Sequence, residues 1–178
     1  MKPAQRRELK FSDFDEIVTD IHRLQENGYT SVGKWNLGQA CSHLNDWMRY
    51  PMDGFPKPQF PFSFLLWGFR NTIGPSQLRK YIAAGAMPAG APTDPRTVPP
   101  PDTSNDAEQV EKLCQTIERF KAFEGPLHTS LAFGPMDLQT GRQLQMMHAA
   151  LHLSFLIPND VTDANGATRQ SSHPTQSA

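Results

Sequence analysis

The chain has 178 residues, a formal net charge of −1 and a hydrophobic fraction of 38%, which is compatible with one domain around a single core. This charge balance, without a long run of lysine and arginine, argues against nucleic acid or an acidic membrane surface as partner. The two cysteines form no CxxC pair, the charged first ten residues precede no apolar run, and no apolar stretch could span a membrane. We therefore expect reduced thiols, no signal peptide and a cytoplasmic protein.

The first two predicted helices are marked by capping residues and by apolar residues at helical spacing. The first should run over residues 12–26, with Ser12 as its N-cap and acidic residues in its first turn. The second should run over residues 37–52, with Asn36 as its N-cap. Gln39 follows three residues later, in the position of a capping box, in which two residues exchange side-chain-to-backbone hydrogen bonds.

A long, proline-rich crossover, residues 53–104, separates the second long helix from the third. Short helices are predicted near 63–71 and 75–84, and residues 87–101 carry the highest density of proline. A connection of this length is unusual inside a compact domain and is often functional. We expect it to cover one end of the helical bundle.

Two further long helices and a polar tail follow the crossover. The third long helix should run over 106–123 with a cap within 103–105, and the fourth over 138–156 with Asp137 as its cap. Residues 159–178 are polar and should be disordered. Because no convincing strand pattern is present, we predict an all-α fold, a four-helix bundle with one long crossover.

Two histidines on the fourth long helix are candidate metal ligands. At about 100° of rotation per residue, His148 and His152 share the apolar face one turn apart, so both imidazoles can reach one ion. The same spacing also fits two hydrogen-bonded core histidines, and that alternative stays open at this point. His43 lies on the flank of the second helix, where it could face a neighbouring helix and complete the three-ligand minimum of a catalytic zinc-type site.

Other polar residues are weaker candidates, and no catalytic general base can be assigned. His22 should lie on the rim of the first helix, whereas His128, in the loop before the fourth long helix, could approach as a fourth ligand or a proton relay. Gln39 and Gln145 are poor general bases, and Gln39 is also explained by capping. Four aromatic residues could line an apolar pocket, although core packing explains each of them as well: Trp35, Trp47, Phe62 and Trp67.

Two segments carry distinctive motifs. Residues 32–48 read VGKWNLGQACSHLNDWM, with a tryptophan, a glutamine four residues later and then a His-Leu pair. Residues 127–158 contain a loop with histidine and Phe-Gly, then a helix with His-x3-His and a Phe-Leu-x-Pro end. Both segments resemble the DinB-like superfamily, in the branch described as the domain of unknown function DUF1569. The resemblance covers most of a domain at residues 9–158.

The resemblance implies a four-helix bundle of the DinB/YfiT type with a three-histidine metal site at His43, His148 and His152. Some members of the superfamily are transferases and isomerases that use a low-molecular-weight thiol, and members often pair, so a homodimer is a further expectation. Leu151 departs from the pattern, because relatives of this branch often carry an additional histidine there. This departure puts in doubt the surroundings of the site rather than the three ligands.

Residues and resemblance together predict a metal-dependent enzyme whose reaction is left open. Three neutral imidazoles would leave a divalent ion (Zn, Ni, Fe or Mn) its full charge and so lower the pKa of a bound thiol or water. Transfer or hydrolysis on a small-molecule substrate is the leading hypothesis, with a low-molecular-weight thiol as one candidate partner. A non-catalytic, stress-related metal-binding protein and a dimerising interaction module remain as alternatives.

Overall fold

A computed structural model describes residues 5–58, 60–90, 97–100 and 105–159. The fold is mostly helical, with one small two-stranded sheet. The predicted disordered tail lies outside the described residues from residue 160 onward, as do parts of the proline-rich crossover. In chain order the elements are α1 (Phe14–Asn27), β1 (Tyr29–Ser31), α2 (Leu37–Asp53), α3 (Phe62–Thr72), α4 (Gly74–Ala84), α5 (Asp106–Lys121), α6 (Leu138–Leu153) and β2 (Leu156–Pro158).

The N-caps of α1 and α2 test the capping predictions directly. The cap of α1 is Asp13, whose side chain accepts a hydrogen bond from the Glu16 N–H, so the prediction of Ser12 was wrong. Ser12 instead donates its backbone N–H to the Glu16 side chain. The predicted capping box of α2 is confirmed, because Asn36 accepts the Gln39 N–H at 2.7 Å and returns its own N–H to Gln39 Oε1 at 3.1 Å.

The later helices begin as predicted and end earlier. Asn105 and Asp137 cap α5 and α6 through their side chains, within the predicted cap region and at the predicted cap, respectively. Helix α5 ends two residues before the predicted 123, and α6 ends three before the predicted 156. The chain after α6 forms β2, which pairs antiparallel with β1, so the expectation of no strand was wrong. Three residues are too few for an alternating pattern to show.

The four long helices share one hydrophobic core. Helix α2 packs against α5 and α6, while α1 packs against α5, α6 and α2. Each helix contributes residues at helical spacing, and burying such stripes against one another is the main source of stability for helices in proteins. The largest fully buried side chains of this core are Ile17, Ile21, Leu24, Leu37, Leu44, Met48, Leu113, Ile117, Phe120, Leu153 and Leu156.

The crossover contains the two predicted short helices, α3 and α4. Helix α4 packs on α6 through a second, smaller apolar cluster that joins Leu78 to Leu144 and Met147. Beyond α4, Thr97 and Pro100 contact the first half of α2 through their backbone carbonyls. Helix α4 and the segment at 97–100 therefore lie against α6 and α2, the two helices that carry the candidate histidines.

A carboxylate fixes where α2 begins relative to α5. Asp106, at the start of α5, accepts the Gly38 N–H at 2.7 Å and the Tyr29 hydroxyl at 2.9 Å. The same hydroxyl accepts the Leu37 N–H at 2.8 Å. Burial and the neighbouring Asp106 charge raise the pKa of Tyr29, so the hydroxyl remains a donor to the carboxylate. Two of the free N–H groups at the start of α2 are thereby satisfied.

Candidate metal centre

His43 is buried and oriented by the crossover. It is 2% exposed, and its Nδ1 lies 2.8 Å from the Thr97 carbonyl oxygen. A carbonyl oxygen can only accept, so Nδ1 carries the proton and Nε2 keeps a free lone pair. The sequence placed His43 on a flank of α2; the structure shows that the crossover covers that flank and turns it into interior.

The other two candidate ligands come from α6. His148 and His152 are half-buried and one turn apart, with their Nε2 atoms 3.0 Å from each other. The Nε2 of His148 also lies 3.3 Å from the Nε2 of His43. The candidate ligand atoms of the three histidines all lie within 4.8 Å of one another. The predicted grouping of the three residues is therefore confirmed.

This spacing suits a single ion. Zinc–nitrogen bonds of about 2.0–2.1 Å in tetrahedral geometry place ligand nitrogens roughly 3.3 Å apart, close to the two measured separations. The neutral tautomer fixed on His43 presents the lone pair that coordination requires, and the Thr97 carbonyl is the kind of outer partner that orients a ligating histidine. The donor set and its spacing therefore fit a divalent transition metal.

The electrostatic environment keeps the three imidazoles neutral. Burial, followed by the neighbouring imidazoles, lowers the pKa of His148 well below its usual range. Burial and His43 lower the pKa of His152 to about 3. Burial also lowers the pKa of His43, although the Thr97 carbonyl partly opposes this. Neutral imidazoles are the form that binds metal, so protons do not compete with an ion near neutral pH.

Two tryptophans border the histidines. The Trp35 ring stacks on His152, with centroids 5.1 Å apart and planes 17° apart, and lies 4.9 Å from His43. Trp47 donates its Nε1–H to the Thr97 hydroxyl at 3.2 Å, so it helps to hold the loop residue that orients His43. These two predicted aromatic neighbours adjoin the site, whereas Trp67 is exposed on α3 and packs neither there nor in the core.

Pro51 creates a direct link between the two ligand helices. Proline has no N–H, so the carbonyl of Trp47, four residues earlier in α2, lacks its usual helical donor. The Gln145 side chain fills that position, donating its Nε2–H to the Trp47 carbonyl at 2.9 Å. Gln145 precedes His148 by three residues on α6 and is buried. The sequence marked Gln145 only as a polar neighbour; its role in joining the two helices depends on Pro51.

The remaining predicted candidates lie elsewhere. His128 does not join the group: its ring lies beside Gly54 at the end of α2, eleven residues or about 16 Å along the helix from His43. His22 is exposed on α1, 3.9 Å from the Cys114 sulfur, in agreement with a rim position. Gln39 serves the α2 cap, and its side chain also donates to the Pro100 carbonyl.

Some sequence expectations fall outside the site or the described residues. His173 and the Phe62 side chain lie outside the described part of the structure. Cys41 is buried and Cys114 is half-buried, so only one of the two expected buried thiols is fully enclosed. Thr97 is a neighbour of the candidate site that the sequence did not indicate. It is 54 residues from His43 in a proline-rich stretch without periodicity.

One cavity lies away from the histidines. It has a volume of about 550 Å³ and lies between the N-terminal segment, the end of α4 and a different side of α6. None of the three candidate ligands lines it.

A family model described as a protein of unknown function, DUF1569, matches residues 3–159. This match covers the described fold from its first residues to β2, including all three histidines and the crossover. No curated protein and no solved structure matches the chain.

Proposed function

We propose that this chain, which belongs to the DUF1569 family of proteins of unknown function, is a metal-dependent enzyme. In this proposal His43, His148 and His152 hold a divalent ion at which a thiol or a water becomes the nucleophile. The reaction is transfer to, or hydrolysis of, a small molecule. The observation that carries the proposal is the convergence of three Nε2 atoms from two helices.

The number of ligands supports a catalytic site over a structural one. Structural zinc sites are usually closed by four protein ligands, whereas catalytic sites use three and keep one position for water or substrate. Among the described residues, no fourth histidine, cysteine or carboxylate joins the three histidines. His128, the one candidate for that role in the sequence, lies at the far end of α2.

The protein's own groups supply uncharged ligands, orient them and cover them. The three ligands are uncharged, and a bound divalent ion would keep its full charge and lower the pKa of a thiol or water at its open position. The Thr97 carbonyl holds the His43 proton on Nδ1, and the Trp35 ring packs over His152. The Gln145 link between α6 and α2 fixes the relative position of the ligand helices.

The proposal includes a bundle of the DinB type. Four long helices share the core, and one histidine on α2 is followed by a His-x3-His pair on α6, which is the order of ligands in that superfamily. Helices α3 and α4 and the short sheet are additions to that plan. A low-molecular-weight thiol as co-substrate, a homodimer and a cytoplasmic location remain predictions.

Metal analysis tests the site. The wild-type protein, expressed with added metal and purified gently, should hold about one divalent ion per chain. The His148→Ala/His152→Ala variant should retain less than a tenth of that amount, because one remaining imidazole cannot hold the ion. His128→Ala is the matched control and should keep the wild-type content. Equal, negligible metal in all three proteins would refute the site.

A second measurement distinguishes a thiol from water as the nucleophile. Cobalt-loaded protein is titrated with bacillithiol, mycothiol and glutathione. A charge-transfer band that saturates with one thiol, and is missing from the double variant, would support thiol use. If none of the thiols produces the band or any transfer activity, while the ion remains bound, the reaction is hydrolysis or the site is not catalytic.

A further inference from the structure

A cluster of exposed apolar side chains lies on and just before α3. Phe60, Phe64, Leu65 and Trp67, together called the α3 face, are 85%, 71%, 66% and 56% exposed. The Phe64 and Trp67 rings stack with centroids 6.0 Å apart. With about 150–200 Å² for a large side chain, the α3 face exposes on the order of 500 Å². Patches of this size on a monomer are often binding sites.

The core of the protein does not account for the sequence of α3. The helix packs chiefly on α4, and none of its described side chains is buried. Its apolar residues surround most of the helix instead of forming one inward stripe. This pattern is typical of helices that are enclosed by a protein core or by lipid. The exposed part of α3 is therefore available to an external partner.

The charges of the surrounding segment are one-sided. Residues 54–93, which lie between Asp53 and Asp94, contain Lys57, Arg70, Arg79 and Lys80 and no aspartate or glutamate. The segment thus carries +4 and the remainder of the chain −5, within a total of −1. The near-zero total, which argued against an acidic membrane surface, conceals this separation. Arg79 and Lys80 are exposed on α4, the helix that follows α3.

We propose that the α3 face docks on the surface of an anionic lipid bilayer. The aromatic and leucine side chains enter the interface between headgroups and acyl chains, where tryptophan is favoured, and the basic segment binds the negative headgroups. Among the described helices, none is long and apolar enough to cross a bilayer. The eleven residues of α3 extend about 16 Å, about half the thickness of the hydrocarbon core, which suits attachment at the surface.

Two polar side chains at the end of α3 each donate a hydrogen bond within the helix. The Asn71 amide donates to the Trp67 carbonyl at 2.6 Å, and the Thr72 hydroxyl donates to the Gly68 carbonyl at 2.7 Å. Placing a polar group in an apolar environment costs free energy mainly when its hydrogen bonds are lost. These internal bonds reduce the cost of bringing this end of the helix to a membrane.

A second copy of the chain fits the α3 face less well. A symmetric dimer places the same patch of both subunits in contact, so it would bring the two segments of charge +4 nearer to each other. Juxtaposed like charges cost free energy, whereas an anionic bilayer supplies the opposite sign. The charge pattern therefore selects lipid over self-association.

Vesicle flotation with the full chain tests the proposal. The protein should bind vesicles that contain phosphatidylglycerol, release at high salt, and bind pure phosphatidylcholine at least tenfold more weakly. Leu65→Ser should weaken binding about tenfold. Lys80→Glu should weaken it about fivefold or more, whereas Lys34→Glu, which makes the same charge change at an exposed position before α2, should leave binding unchanged.

Tryptophan fluorescence provides an independent measurement. Anionic vesicles should shift the emission to the blue, and Trp67→Phe should abolish the shift while binding persists. The proposal is overturned if anionic vesicles bind no protein at low salt, or if Lys80→Glu and Lys34→Glu behave alike. It is also overturned if Leu65→Ser converts a dimer to a monomer while no vesicle binds, which would assign the α3 face to a second copy.

Discussion

Acid should destabilise the metal-free protein through His152. The pKa of His152 is about 3 in the folded protein, because of burial and the adjacent His43, against about 6.5 in an unfolded chain. Below about pH 6.5 the His152 imidazole binds a proton in the unfolded chain but stays neutral in the folded protein. The folded-state pKa is the lower one, so the stabilisation is complete above pH 6.5 and is lost as the pH falls toward 3.

The size of this effect follows from proton linkage. The slope approaches about 1.4 kcal/mol per pH unit for one histidine, and amounts to about 1.5 kcal/mol between pH 6.5 and pH 5. His152 is half-buried, and screening by water makes this value an upper bound. His148, whose pKa is also lowered, adds a slope of the same sign.

Urea unfolding after chelation measures the effect. The free energy of unfolding of the wild type should fall by up to about 1.5 kcal/mol more than that of His152→Gln between pH 6.5 and pH 5. His128→Gln, at the far end of α2, is the matched control and should keep the wild-type pH dependence. An identical pH dependence for wild type and His152→Gln would show that the imidazole is not held neutral by its surroundings.

Two further variants test the supports of the site and of the fold. Trp47→Phe keeps an aromatic ring but loses the hydrogen bond from the indole N–H to the Thr97 hydroxyl. It should therefore lower the metal affinity by up to about tenfold, measured by competition with a chelator. Unchanged affinity would show that this bond does not support the site. Tyr29→Phe removes the hydroxyl that accepts the Leu37 N–H and donates to Asp106. It should lower the free energy of unfolding in urea by about 1–3 kcal/mol. A decrease below about 0.5 kcal/mol would mean that water replaces the hydroxyl.

The caps and the spacing of apolar residues made the long helices predictable from sequence. Asn36 with Gln39, and Asp137, are local signals, since each side chain meets a backbone only three residues away. The start of α1 was misplaced by one residue because Ser12 and Asp13 are both good caps, and sequence alone does not rank adjacent candidates. The two strands were not predicted because three residues are too few to show an alternation of apolar and polar side chains.

The grouping of the three histidines was predictable from the sequence, whereas the residues that hold them in place were not. The i, i+4 spacing of His148 and His152 is a local geometric fact, and a resemblance joined His43 to them. The contact between His43 and Thr97 depends on how the crossover folds back over α2, which no periodic pattern encodes. The burial of His43 could not be foreseen for the same reason, because its flank of α2 becomes interior only when the crossover lies over it.

Pro51 has a consequence for how the site is assembled. The Trp47 carbonyl, deprived of a helical donor, binds Gln145 and so holds α2 and α6 together through a bond that involves no histidine. The conformational entropy that is lost when α2 and α6 come together is therefore lost on folding, before any ion binds. A preorganised ligand set loses little conformational freedom on binding, so more of the coordination energy remains as affinity. If the three histidines bind an ion, its removal should leave the two helices in register, and the histidines should be in place to bind a replacement ion.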